Sequence, residues 1–245
     1  MDISISGSGK VAGGQYNNIS ISGSGKMCGK VLCNSLHCSG AASADGDIEC
    51  TNDVRASGAI KMGKSLVCDE LHISGSAKIG GDCVCKSEAK VSGSAWVGGD
   101  LKGKNITVSG GLQVEGDIEA ELFKSAGSVR CDGLLNAEKV DIKTDGCGVN
   151  INQIGGTTIL IYTDKKSKGL NLARLPIFAK LVSGSSTGNM INLIEGETNA
   201  IEHCEVKKIV CDTVAIGEGC KVHRIEYSTD IEIHDSAVVD ECVKI

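Results

Sequence analysis

Aromatic residues and proline are scarce in this chain of 245 residues, which contains two Phe, three Tyr, one Trp and a single Pro. A polysaccharide lyase built on a β-helix would be expected to carry many rings for stacking sugars, so their scarcity argues against that class. No apolar run approaches the ~18 residues that a membrane-spanning helix requires. Apolar residues still make up 41% of the chain, which is enough for a continuous core and argues against disorder.

The chain also has no excess of positive charge, and its first residues lead us to expect no leader segment. The net charge of −6 argues against a dedicated nucleic-acid-binding protein. Met1 and Asp2 lead directly into an alternating apolar stretch rather than into a signal peptide. We therefore expect a cytoplasmic location.

What the chain does contain is a repeat of about 17 residues, marked by a glycine that usually follows a serine. A period this short is typical of a solenoid, in which no single repeat can bury its own apolar face. The marker glycine occurs eight times between residues 1 and 140, at Gly7, Gly23, Gly40, Gly58, Gly75, Gly93, Gly110 and Gly127.

Each repeat has the pattern of three short strands separated by corners. Residues 71–85 read LHISGSAKIGGDCVC, in which three alternating runs are separated by Ser-Gly and Gly-Gly-Asp. Alternation with a period of two places one side chain inside and the next outside. We expect the corner glycines to supply positive φ angles. The sequence predicts one turn of a parallel β-helix per repeat.

The inward positions stay small and apolar from coil to coil, as a narrow stacked interior requires. One column runs Ile3, Ile19, Leu36, Val54, Leu71, Ala89, Ile106, Phe123 and Val140. We predict an all-β, right-handed parallel β-helix with about 17 residues and three short strands per coil. A left-handed hexapeptide helix is the main rival, but its corners would be equal, whereas this period varies between 16 and 18 residues.

The 13 cysteines are placed for packing rather than for disulfides or zinc, because their number is odd and the CxxC spacing of a zinc site is absent. Free cysteine behaves as a small buried apolar residue, although stacked neighbours would lie near disulfide distance. One inward position takes only small residues in seven successive coils: Cys33, Cys50, Cys68, Cys85, Gly103, Ala120 and Ala137.

The register is lost once, after residue 163, and this divides the chain into three segments. Residues 1–163 predict about nine coils, and residues 191–245 predict about three more, on the same axis or as a separate stack. Residues 164–190 form a basic excursion that contains the only proline. We expect it to cover exposed core, with contact to an anionic membrane as the alternative. Its candidate docking residues are Leu175, Ile177, Phe178 and Leu181.

One outward column is basic, and stacked like charges repel unless an anionic partner neutralises them. This column is either a solubilising face or a lateral binding stripe for a lipid surface or an acidic protein. The possible stripe comprises Lys10, Lys26, Lys61, Lys78, Trp96 and Arg130.

No set of residues indicates catalysis, a metal or a cofactor. The Gly-Ser-Gly-Lys runs at 7–10 and 23–26 lack the remaining residues of a phosphate-binding loop. His203, beside Cys204 and Glu205, is the only crowded candidate for a reactive group. We expect no enzymatic activity, with a hexapeptide-repeat acyltransferase as a remote alternative.

The two ends of the repeat carry no capping helix, so terminal coils would expose apolar side chains and strand edges. End-to-end association is the simplest way to cover them. We expect the contacts to involve Ile3, Ile5, Val243 and Ile245.

The coil type at 3–11 and 19–27, the Gly-Leu-Leu-Asn-Ala stretch at 133–137 and the Ile-Gly-Glu-Gly-Cys-Lys-Val segment at 216–222 resemble the bactofilin family of polymer-forming cytoskeletal proteins. The last segment is similar to the tail of a longer subgroup. The resemblance implies a right-handed β-helix that polymerises without nucleotide and scaffolds cell-shape processes, often at the inner face of the membrane. The alternative is a soluble β-helical binding module that recruits an acidic partner or a lipid surface.

Overall fold

The computed structural model describes residues 1–145, 147–163 and 189–245, and every regular element in those residues is a β-strand. The strands pair in parallel with partners one coil away, and together they make about 13 turns with a repeat of about 17 residues. The prediction of an all-β parallel β-helix is confirmed, and its right hand stays a prediction.

By contacts, the chain divides into two units, Met1–Ala120 and Glu121–Ile245. The strands of the first part of the chain are β1 Ile3–Ile5, β2 Ser8–Gln15, β3 Asn18–Ile21, β4 Ser24–Cys33, β5 Ser35–Cys38, β6 Ala41–Ala44, β7 Ile48–Cys50, β8 Asp53–Ala56, β9 Ala59–Met62, β10 Leu66–Ile73, β11 Ser76–Ile79, β12 Cys83–Val91, β13 Ser94–Val97, β14 Leu101–Val108, β15 Gly111–Val114 and β16 Ile118–Ser125. The later strands are β17 Ser128–Lys143, β18 Val149–Tyr162, β19 Met190–Ile201, β20 Glu205–Ile216, β21 Lys221–Ile233 and β22 Val238–Lys244.

In the first unit a coil consists of three short strands, as β5, β6 and β7 show. The third strand of one coil often runs on into the first strand of the next, as in β10 and β12. The inward column predicted from the sequence is present, because each member is the register partner of the next: Ile3, Ile19, Leu36, Val54, Leu71, Ala89 and Ile106.

In the second unit the corners are smoother, and one long strand accounts for most of each coil. The coil after residue 189 pairs directly with the coil before residue 163, with Ile151 beside Ile191 and Ile161 beside Ile201. The C-terminal coils therefore continue the ladder of β17 and β18 rather than forming a separate stack. The candidate docking residues Leu175, Ile177, Phe178 and Leu181 lie outside the described residues.

The interior is a narrow stack of aliphatic side chains, which explains why the chain has few rings. Phe123 heads the large side chains that are fully buried, and the others of that group are isoleucine, leucine and methionine. The narrow interior between facing strands has little space for aromatic rings, which explains the low aromatic content of the chain.

The Ser-Gly corners show a different reason for glycine from the one expected. Among the described residues, only Gly14, Gly29 and Gly219 are glycines with positive φ, so the expectation of positive φ at the marker glycines was wrong. A Cβ on Gly75 would instead collide with the carbonyl oxygen of Gly58 in the coil before. The corners require glycine because successive coils approach one another so closely there.

A second type of corner in the first unit is held by side chains that bond to the next coil. Asp47 Oδ1 accepts from the Ser65 N–H (3.2 Å), and Ser65 Oγ accepts from the Asp82 N–H (3.2 Å). Asp82 and Asp100 repeat the bond to the N–H groups of Asp100 and Asp117, each at 3.0 Å. These side chains accept hydrogen bonds from backbone N–H groups at the corners, which lie outside the strand pairing.

Candidate functional site

The last coil of the second unit exposes side chains of a type that the preceding coils bury. Ile233 is 42% exposed, whereas its register partner Ile216 is 0% exposed. Val239 and Cys242 likewise continue the columns of Val222 and Ile225, which are both buried. In the described residues, β22 pairs with β21 on one side and carries no strand on the other.

The candidate contact residues predicted at this end lie beside that uncovered core rather than within it. Val243 pairs with Glu226, an outward position, and is half-buried. Ile245 is 67% exposed, and its N–H donates to the Tyr227 carbonyl oxygen. The sequence argument missed Ile233 and Val239, although their 17-residue spacing from Ile216 and Val222 marked them as inward positions.

Apart from Met1, which is 73% exposed, the first coil exposes little apolar surface. Ile5 is 9% exposed and Ile3 is half-buried. Asp2 Oδ1 accepts from the backbone N–H of Asn18 at 3.1 Å and from its side-chain Nδ2 at 3.3 Å, which ties the N-terminal residues to the second coil. Of the two candidate association surfaces, the C-terminal one is therefore the one that exposes an inward-column isoleucine, Ile233.

The lysine stripe is a continuous column in the first unit. Lys10 is the register partner of Lys26, Lys61 is that of Lys78, and Lys78 is that of Trp96. The four lysines are exposed, and none forms an ion pair within the part of the chain that the structure describes. Lys78 Nζ lies 4.2 Å from the centre of the Trp96 ring, a cation–π contact. Arg130 belongs to the second unit and is paired with Asp132 at 2.9 Å.

The column next to the lysines on the same face consists of small exposed side chains, so the face is flat and carries no carboxylate in either column. Register pairing aligns Ser8, Ser24, Ala41, Ala59, Ser76 and Ser94.

A buried carboxylate on another face is fully neutralised. Asp53 accepts from Ser35 Oγ at 2.5 Å and from Arg55 Nε at 2.7 Å, and it lies 2.8 Å from His37 Nε2. Burial alone would raise the pKa of Asp53, but these hydrogen bonds outweigh it and lower the pKa to about 2. His72 is likewise paired with Glu70 at 3.2 Å. These polar side chains satisfy one another.

The crowded candidate at His203 lines a cleft of about 210 Å³ with Cys204 and Glu205. The Cys204 thiol donates to the carbonyl oxygen of Glu202, and burial raises its pKa well above the ordinary range, so it is not a thiolate. Burial also lowers the pKa of His203. In this cleft the Cys204 thiol bonds to a carbonyl oxygen and not to the His203 ring, so the two side chains are not the hydrogen-bonded nucleophile and base that covalent catalysis requires.

Glu202, at the same corner, is a buried carboxyl group that the sequence did not reveal. It is 0% exposed, and its Oε1 has no hydrogen-bond partner among the described residues. Burial raises its pKa to about 7, even though the Thr163 N–H donates to Oε2. Gly217 in the next coil leaves the space that the Glu202 side chain fills.

No protein-family model, no curated protein and no solved structure matches this chain. Among the residues with described positions, no group of three or more His, Cys, Asp or Glu side chains is arranged to hold a metal ion. No helix in those residues is long and apolar enough to cross a membrane.

Proposed function

We propose that this chain is a structural scaffold that self-associates without nucleotide into filaments or higher oligomers, as the resemblance to bactofilins implies. The observation that carries the proposal is the last coil, where Ile233 is 42% exposed in a column that is otherwise buried. The proposed location is the cytoplasm, including the inner face of the membrane.

Two physical terms favour association through this coil. Burying an isoleucine or valine side chain contributes roughly 1.5–3 kcal/mol. The free side of β22 also presents backbone N–H and C=O groups that a strand from a second copy can pair. One contact with a second copy would supply both terms, and together they oppose the entropic cost of association.

The test is assembly of the purified protein with reducing agent present and nucleotide absent, followed by negative-stain electron microscopy and light scattering. Wild type should form filaments or oligomers, and Ile233→Asp should reduce assembly at least tenfold, because a buried unpaired carboxylate opposes the contact. Val238→Asp is the matched control, since Val238 lies in the same coil but at the outward position beside Lys221. Uniform monomers of wild type, or normal assembly of Ile233→Asp, would contradict the proposal.

A second candidate function rests on the lysine stripe, whose four lysines lack acidic partners among the described residues. A flat cationic face with one indole ring suits an anionic lipid surface or an acidic protein. The double variant Lys61→Glu/Lys78→Glu should lose binding to phosphatidylserine-containing vesicles while keeping its oligomeric state. Lys64→Glu/Lys90→Glu makes the same charge change outside the stripe and should retain more binding. Equal losses for both double variants would point to non-specific charge attraction.

A further inference from the structure

Two cysteines of the inward column in the first unit come closer together than packing alone requires. Cys33 and Cys50 are register partners in consecutive coils, and their Sγ atoms are 3.0 Å apart. Cys68 and Cys85 repeat the same relation two coils further on, with the Sγ atoms 3.7 Å apart. The column thus contains two stacked thiol pairs with the same backbone geometry and different separations.

The two pairs also differ in their surroundings. Cys33 and Cys50 are buried, at 4% and 3% exposed, and they line a lateral cleft of about 240 Å³. Tyr16 and Leu32 give the cleft apolar walls, and Glu49 and Lys86 supply one charge of each sign. Cys68 and Cys85, which are 0% and 1% exposed, are not part of its lining.

We propose that Cys33 and Cys50 form a thiol–disulfide exchange site, which reacts through this cleft with a small disulfide and becomes a reversible cross-link between two coils. The spacing of neighbouring strands, about 4.8 Å, falls inside the 4.4–6.8 Å range of Cα separations that disulfides adopt. The Sγ atoms have to close from 3.0 Å to about 2.0 Å, which side-chain rotation can provide.

The exchange proceeds in two balanced steps. The Cys33 thiolate attacks one sulfur of the small disulfide, which forms a mixed disulfide and releases one thiolate. Cys50 then loses its proton and attacks Cys33 Sγ, which forms the Cys33–Cys50 bond and releases the second thiol. Two protein thiols are oxidised and one small disulfide is reduced to two thiols.

The roles of the two cysteines follow from the hydrogen bond between them. The hydrogen bond between the two thiols lowers the pKa of Cys33, which favours Cys33 as the thiolate. The same bond, together with burial, raises the pKa of Cys50, so Cys50 acts second. Replacing Cys50 by alanine is structurally mild, because the same column already accepts a residue smaller than cysteine: Gly103 is the register partner of Cys85.

The experiment treats the reduced, folded full chain with oxidised glutathione, blocks the remaining thiols with N-ethylmaleimide and maps the products by mass spectrometry after digestion without reductant. The Cys33–Cys50 disulfide should form at least tenfold faster than Cys68–Cys85, the matched internal control. Cys50→Ala should stop at a mixed disulfide between Cys33 and glutathione.

Three outcomes would overturn the inference. Equal rates for the two pairs would show that the cleft gives no selective access. Reaction of either pair only after denaturation would show that the folded protein protects both. A mixed disulfide at Cys50 in Cys33→Ala, with that variant folded by circular dichroism, would show that Cys33 is not the attacking thiol.

Discussion

At the scale of single residues, Glu202 shows how a solenoid can bury a carboxyl group at a corner. The corner also contains His203, whose φ of 50° is the one positive value for a non-glycine residue in the described chain. The backbone there is fixed by hydrogen bonds such as that from the His203 N–H to the Glu218 carbonyl oxygen. The carboxyl group is therefore held in the interior, and its charge state affects stability.

Glu202 makes the stability of the fold fall as the pH rises. Its pKa is about 7 in the folded chain, against 4.5 ordinarily, so the folded state retains a proton that the unfolded state loses. The stability that the protonated Glu202 provides, relative to its charged form, is fully present below pH 4.5 and is lost as the pH rises towards 7. The loss in the free energy of unfolding is up to about 3 kcal/mol. Glu202→Gln should remove this loss and be the more stable protein at pH 8.

Urea unfolding at several pH values between 4.5 and 8 measures the effect as the difference between variant and wild type. Glu195→Gln is the control, since Glu195 is exposed on β19, the strand that ends just before Glu202, and should leave the pH dependence unchanged. If the free energies of unfolding of Glu202→Gln and wild type differ by the same amount at every pH, Glu202 keeps its ordinary pKa.

The inward residues were predictable because alternation with a period of two is a direct consequence of strand geometry, and the column from Ile3 to Ile106 is present as expected. The buried polar residues of the second unit were not. Asn199 lies in the column between Ile159 and Val214, but the sequence signal was hidden because residues 164–190 break the 17-residue spacing. Aligning 191–201 with 151–161 is the step that would have revealed it.

At the scale of elements, the corners rather than the strands depend on particular residues. The sequence marked the glycines correctly but not their reason, because a sequence shows local turns and does not show how closely the next coil approaches. Gly75 is fixed by contact with the previous coil, whereas Gly111, at the start of β15, has open space around the position of a Cβ. These two glycines, which lie in different coils, thus have different roles.

This difference predicts different costs for one substitution. Gly75→Ala should destabilise the protein by about 2–4 kcal/mol, because its methyl group meets a backbone oxygen that cannot move away freely. Gly111→Ala should be neutral or slightly stabilising, within about 0.5 kcal/mol, because it restricts only the unfolded chain. Chemical denaturation of both variants measures the two effects, and similar losses would contradict the close-approach explanation.

At the scale of the whole molecule, the two ends of the ladder differ in a way that the sequence did not predict. The sequence argument placed contact residues at both ends, because Ile3, Ile5, Val243 and Ile245 are all apolar, although Gln15 and Asn17 pointed to a first coil that partly caps itself. Burial depends on the neighbouring coil, which a linear sequence does not show. Among the described residues, the inward column is exposed at the C-terminal coil, where Ile233 is 42% exposed, and is covered at the N-terminal coil, where Ile5 is 9% exposed.

If copies associate through that coil, thermal stability should depend on protein concentration. Association with the folded state raises Tm by mass action, so a hundredfold increase in concentration should raise the Tm of wild type by several degrees. Ile233→Asp should show a much smaller dependence, and Val238→Asp should behave like wild type. Differential scanning calorimetry at several concentrations measures this, and a wild-type Tm that does not change would argue against association.

The direct pairing of β18 with β19 has a consequence for how such a chain can diversify. Asn152 and Asn192 are hydrogen-bonded neighbours 40 residues apart, more than twice the usual coil length, yet the ladder keeps its register. The entropy of closing a loop grows only slowly with its length, so extra residues at this corner add little to the cost of folding. The position in the sequence between Thr163 and Asn189 is thus a natural insertion point, where evolution or protein engineering can add new sequence without redesigning the coils on either side.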